Sequence, residues 1–260
     1  MTDLLQAALL GVIEGITEFL PISSTGHLLI AEHWLGARSE LFNVAIQAGA
    51  ILAPIAVFWS RLKVLLLQFS VPGNRDYLAK LACAFVLTVF GGLAAKTLGV
   101  GLPQTVAPVA GALIAGGALM LLIEWLLADR AVVADVTWSV AFWVGSCQIL
   151  AAVFPGTSRS AATIFAAMLA GMTSRPAATE FAFLVGIPTM FAATAYEFLQ
   201  LRGSAPVHEN WSALAVAFAV SAVVAFIAVR WLLRYLQTHR FTVFAWYRIA
   251  AGIALLAIAR

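Results

Sequence analysis

The chain has 260 residues, of which 63% are hydrophobic and only 10% charged, with a formal net charge of +3. Soluble domains carry about 25% charged residues, so this composition, with a mean hydropathy of +0.98, excludes a soluble globular class and points to a multispanning membrane protein. The basic excess comes without a stripe of basic and aromatic residues, so no nucleic-acid partner is expected.

The N-terminus lacks a basic stretch followed by a small-residue cleavage site, so no removable signal peptide is expected. A spanning helix needs about 20 mostly apolar residues. Residues 4–35 are long enough to cross once but are broken at their centre by FLPISSTGH (19–27). Segments 42–59, 78–98 and 105–127 then read as spans. Residues 138–172 repeat the interrupted pattern, broken at FPGTSRSAAT (154–163), and spans follow at 178–200, 211–230 and 244–259, the last short enough to begin nearer Phe241. Cys83 and Cys147 both lie in apolar segments, so neither a disulfide framework nor a zinc site is indicated.

A shift of 134 positions pairs Gly11 with Gly145, Pro21 with Pro155 and Ser24 with Ser158. The chain therefore reads as one integral membrane domain, 1–260, built from related halves of about 1–130 and 131–260. Backbone freed by a broken helix must be buried in protein or line a watery cavity, because lipid cannot satisfy it. Paired interruptions in two halves mark an inverted-repeat site near the midplane. The expected fold is an all-α polytopic membrane protein with six transmembrane helices, two re-entrant helical hairpins and an inverted-topology repeat.

Loop charges orient it. With six spans, one side carries Arg61, Lys63, Arg75, Lys80, Arg130, Arg175, Arg230, Arg234, Arg240 and Arg248; the other carries Arg38, Lys96, Arg202 and Arg260. The positive-inside rule makes the first side cytoplasmic. Both termini and the mouth of the first hairpin then face outward, the second hairpin enters from the cytoplasm, and the tips meet within the bilayer.

The scarce polar residues concentrate at the breaks. Glu14 and Glu18 lie one turn apart on one helix face. An ionised carboxylate at membrane depth costs on the order of 2.5–3.5 kcal/mol. Such a pair persists by binding a cation, sharing a proton or facing a basic ligand. A divalent cation completed by substrate phosphates fits best, and two glutamates reaching for interfacial water are the plainer alternative. Ser23, Ser24 and Thr25 follow Pro21, where hydroxyls commonly cap a helix start. His27 follows Ser24 by three residues, a nucleophile–base arrangement in principle and equally a structural donor. Arg159 is the one basic residue this topology places at depth, and its planar fork suits phosphate, or neutralises Glu14 or Glu18. Ser158, Ser160 and Thr163 add donors, beside the backbone N–H groups of a helix start. A phosphorylated lipid is the ligand this set suggests.

EGITEFLPISSTGH (14–27) with PGTSRSAATI (155–164) resembles the two signature motifs of the bacterial undecaprenyl pyrophosphate phosphatase family, the bacitracin-resistance or BacA/UppP type. The likeness runs over essentially the whole chain, including LFNVAIQAGAILA (41–53) and EFAFLVGIP (180–188). One departure is Ala161, where the family's second motif usually has glycine. The resemblance implies hydrolysis of undecaprenyl diphosphate to the monophosphate and inorganic phosphate in the bacterial inner membrane. It implies a site open to the periplasm, a divalent cation (Mg2+ or Ca2+) and a homodimer. Carried over by motif, Glu14, Glu18, Ser24, His27 and Arg159 are catalytic and Glu14 and Glu18 hold the metal. Ser23, Thr25, Gly156, Thr157, Ser158, Ser160 and Thr163 bind substrate. Ser24 as nucleophile, with His27 exchanging its proton, and attack by a metal-activated water are both open.

A transporter or flippase of a phosphorylated lipid is the rival from another class, since broken helices in inverted repeats are its usual construction. STGH (24–27) only partly echoes acid-phosphatase-type lipid phosphatases, and neither GxSG nor GxxxxGK[ST] occurs. Glu124, Glu180 and Glu197 read as interfacial or helix-end charges, with Glu180 nearest the second hairpin; His33, His208 and His239 read as loop or interface residues. Gly11 and Gly15 permit a close helix contact.

Overall fold

A computed structural model describes residues 2–100, 105–201 and 210–258; Arg202, His208 and Arg260, used above, lie outside the described residues. The chain is all-helical there, in the order α1 (Asp3–Thr17), α2 (Ser24–Leu35), α3 (Glu40–Val57), α4 (Trp59–Leu67), α5 (Pro72–Thr97), α6 (Val106–Leu126), α7 (Trp138–Val153), α8 (Arg159–Leu169), α9 (Arg175–Leu201), α10 (Trp211–Tyr235) and α11 (Thr242–Ile258). It is a polytopic membrane protein. Helices α3, α5, α6, α9 and α10 are long and apolar enough to cross a bilayer. Helix α11, with 17 residues, lies at the short end of the range for a span. Two differences from the expected spans concern ends: α10 runs on to Tyr235, and a separate helix, α4, follows α3.

Both interrupted stretches fold as two short helices joined by a turn. Pro21 and Pro155 supply no N–H and disfavour helical backbone in the residue before them, so α1 and α7 stop short of them. The second arm of each unit starts at a serine with left-handed backbone, Ser23 (φ 75°) and Ser158 (φ 68°), the two non-glycine residues with positive φ among those described. Such backbone costs on the order of 1–3 kcal/mol. Each serine offsets it by capping the helix it starts: Ser23 Oγ accepts from Gly26 N (3.4 Å) and Ser158 Oγ from Ala161 N (3.3 Å). The capping serines correspond at a shift of 135, not 134. One extra residue lies between Pro155 and Ser158, so the partner of Ser24 is Arg159 rather than Ser158.

Each first arm packs on a helix of the other half, α1 on α10 and α7 on α5. The approaches match: a Cβ on Gly11 would lie 2.5 Å from Ala217 O, and one on Gly145 2.6 Å from Ala84 O. Helix backbones in contact at that range leave no room for a side chain. Helices α3 and α9 correspond too, each with an internal proline, Pro54 and Pro188. Phe19, Leu20 and Ile22 of the first break are buried in the main apolar core, with Phe19 edge-on to Phe183. The breaks therefore lie in protein rather than lipid, as unpaired backbone at depth requires.

Candidate active site

The two breaks meet at Glu18. Its Oε1 accepts from the Arg159 guanidinium (3.0 Å), the first residue of α8, and its Oε2 from Ser24 Oγ (2.6 Å), the first residue of α2. One carboxylate thus gathers a hydroxyl from its own half and a cation from the other. Arg159 makes this one side-chain hydrogen bond among the described residues, so the rest of its donor fork remains for a ligand. Space for the guanidinium comes from Gly186 of α9, where a Cβ would stand 2.5 Å from Arg159 Nη1.

Glu14, one turn earlier on α1, is 2% exposed, and its Oε2 is buried with no hydrogen-bond partner. It lines an open cavity of about 610 Å3 together with Ser24 and Thr25. The far wall is polar as well: Glu32, Glu40, Asn43 and Gln47 come from α2 and α3, and Lys96, Glu197 and Gln200 from the ends of α5 and α9. Four glutamates against one lysine make this an acidic vestibule. Spacing offered a signal for part of it, since Glu40, Asn43 and Gln47 recur every three or four residues on an otherwise apolar helix.

His27 is engaged elsewhere. Its Nδ1–H donates to Ser23 O (2.7 Å) and its Nε2 pairs with Tyr247 OH (2.7 Å), so the group on Ser24 Oγ is Glu18, not the expected imidazole. Most of the expected substrate donors also have protein partners. Ser160 Oγ donates to Leu20 O (3.2 Å) and lies 3.1 Å from Ser158 Oγ, while Thr163 Oγ1 turns back on Arg159 O (2.9 Å). Ser23 is a buried cap. Gly156, at φ 90°, and Thr157 give their carbonyls to Arg248. Of the seven expected substrate contacts, Thr25 is the one lining the cavity.

Arg248 corrects the reading of Arg159 as the single deep cation. Counted above as a loop charge, it lies within α11 and is fully buried. The signal was present, because the segment 244–259 contains it, and an arginine inside a span is a functional candidate by default. Glu180 pairs with Arg61 (3.3 Å) and Glu124 with Arg175 (2.9 Å), both away from Glu18. His33 and His239 are exposed.

The arrangement joins a hydroxyl on a carboxylate, a forked cation and an unpaired buried acid beside an open polar cavity. It suits transfer of a phosphoryl group. Comparison with known proteins agrees. The sequence is 60% identical to the undecaprenyl-diphosphatase of Rhizobium etli over 258 residues, covering 99% of this chain and 97% of that protein. It is 58% identical to that of Stenotrophomonas maltophilia (98% and 97% covered) and 53% identical to that of Xylella fastidiosa (98% of each). The family model described as bacitracin resistance protein BacA matches residues 7–254, and the chain belongs to that family.

Proposed function

We propose that this chain hydrolyses undecaprenyl diphosphate to undecaprenyl phosphate and inorganic phosphate, as the names of its relatives indicate for them. The observation that carries the reading is the junction at Glu18, which holds Ser24 and Arg159 from opposite breaks within 3.0 Å. In the reaction Ser24 Oγ attacks the terminal phosphorus while its proton passes to Glu18, a carboxylate already accepting that hydroxyl. The bond from phosphorus to the bridging oxygen breaks, undecaprenyl phosphate leaves, and water then cleaves the phosphoserine to release phosphate. Arg159 faces the transferred group with its remaining donors and stabilises charge on its oxygens. The short contact between Ser24 and Glu18 favours serine over direct attack by water. His27 supports the turn and does not take the proton.

The donor set fits a divalent cation such as Mg2+ or Ca2+. Glu14 Oε2 is a buried orphan, and an acidic vestibule repels a diphosphate unless cations accompany it. Among the described residues no three His, Cys, Asp or Glu converge, so substrate oxygens would have to complete the shell of an ion held here. Glu14 and Glu18 would hold the ion, which when bound neutralises phosphate charge. A chelator is expected to stop phosphate release and Mg2+ or Ca2+ to restore it. Glu14→Gln is expected to weaken the binding of Mn2+ followed by electron paramagnetic resonance.

Location follows from the same reading. The cavity is lined at the end of the bundle carrying Glu40, Lys96 and Gln200, the side poor in basic residues. Moving Arg248 out of the loop count leaves nine basic residues against four, so the bias keeps its direction. We therefore place the protein in the bacterial inner membrane as a single domain, with termini and cavity toward the periplasm. The family likeness extends the proposal to a homodimer, which light scattering in detergent checks. The deciding assay is phosphate release by purified protein from undecaprenyl diphosphate; a carrier that only moved lipid would release none.

A further inference from the structure

We propose that Tyr247 and Arg248, adjacent on α11, are positioning residues that fix both breaks and so set Ser24, Glu18 and Arg159 in register. The inference rests on the phosphatase reading of that junction. Arg248 is 0% exposed and has no carboxylate partner among the described residues. Its donors go instead to backbone carbonyls. Nη1 donates to Pro21 O of the first break (3.3 Å) and Thr157 O of the second (3.0 Å); Nη2 donates to Gly156 O (3.1 Å) and Ala112 O (3.0 Å); Nε reaches Leu113 O (3.5 Å). One planar group therefore ties both turns to α6. Lysine, with three donors on a point charge, does not span this set. Helix α6 makes room for it: a Cβ on Gly116 would stand 2.3 Å from an Arg248 terminal nitrogen.

Tyr247 acts on the first break alone. Its hydroxyl pairs with His27 Nε2 (2.7 Å), and the two rings lie parallel within 5°. The imidazole passes the constraint on through Nδ1–H to Ser23 O. Ser23 is the strained residue immediately before Ser24, so its carbonyl direction helps set where the hydroxyl points. Pro21 O is thus held directly by Arg248, and Ser23 O, two residues on, by His27, whose ring Tyr247 orients. Without those partners Pro21 O loses its side-chain donor and Ser23 O keeps only the longer bond from His27 N (3.4 Å), so the turn is less firmly fixed.

Kinetics and hydrogen exchange separate positioning from mere stability. Tyr247→Phe is expected to lower kcat for phosphate release about tenfold with KM unchanged, from loss of one hydrogen bond. Adding it to His27→Ala is expected to cost nothing further, because both lie on one line of force; independent, multiplying effects would overturn the Tyr247 assignment. Arg248→Lys is expected to lower kcat about 100-fold, the scale of a small misplacement of reacting groups. Should that variant fail to fold, Gly116→Ala presses on the guanidinium without removing its charge and is expected to lower kcat in the same direction. Wild-type turnover tests the phosphatase reading by itself. Hydrogen exchange without substrate tests the inference whatever that turnover is. Arg248→Lys is expected to speed exchange at residues 19–27 and 154–161 together, and Tyr247→Phe at 19–27 only. Unchanged exchange at both breaks, or a uniform rise over all helices, would overturn it.

Discussion

The two breaks share a backbone device and divide the chemistry between them. In each, a proline ends the first arm and a serine in left-handed backbone caps the second. The residue after the capping serine differs: Ser24 in the first, Arg159 in the second, and both bind Glu18. The first arms differ likewise. At the shift of 134, Glu14 of α1 and Glu18, just past its end, correspond to Gln148 and Ala152 of α7. Gln148 Nε2 donates to Thr88 Oγ1 (2.9 Å) while its Oε1 is buried without a partner, so the matching place in the second half holds a neutral amide where the first half has an acid. A symmetric frame carries one asymmetric site, with acids and hydroxyl from one half and the cation from the other.

Breaking either side of that division should stop the reaction, to different depths. Ser24→Ala is expected to lower kcat by about 10⁴-fold or more if the serine is the nucleophile, and wild type quenched during turnover should carry phosphate on Ser24. Full turnover by the alanine variant would return the reaction to direct attack by water. Arg159→Lys keeps the charge but loses the fork, with an expected loss of about 10²–10³-fold in kcat/KM. Gly186→Ala removes none of the proposed catalytic groups. Its new methyl would fall 2.5 Å from Arg159 Nη1, and the flexible end of the arginine is what must yield. The expected outcome is about 10-fold to 100-fold lower kcat with the melting temperature nearly unchanged; a large loss of melting temperature instead would mean that the backbone, not Arg159, gave way.

The sequence made the breaks, the acids, Ser24 and Arg159 legible because each violates the apolar background at a place where violation is costly. Contact partners were not legible. His27 lies three positions after Ser24, which invites a pairing that the fold does not make: capping Gly26 and His27 N–H groups onto Ser23 turns the imidazole toward Tyr247, 220 positions away. The second break misled for a similar reason. Its hydroxyls read as ligand donors in one dimension, yet a break buried in protein leaves carbonyls that need internal partners, and Ser160 and Arg248 take that work. Arg248 read as a loop charge because it stands six residues, about 1.7 turns, after the first residue of α11, although the expected span 244–259 already contained it.

Ser160→Ala gives the smallest effect and the sharpest test of which hydroxyls serve the fold. Ser160 is 3% exposed, and its Oγ bridges Leu20 O of the first break to Ser158 Oγ of the second. Loss of the hydroxyl leaves Leu20 O without that donor and should cost about 0.5–1.5 kcal/mol of stability, read as a lower thermal midpoint in detergent. A residue that holds backbone rather than phosphate should leave KM for the lipid diphosphate within about twofold, because removing a donor from the phosphate itself would cost tenfold or so. A selective rise in KM at unchanged thermal midpoint would put Ser160 on the substrate after all, and would make the second break a second phosphate cradle rather than the seat of one arginine.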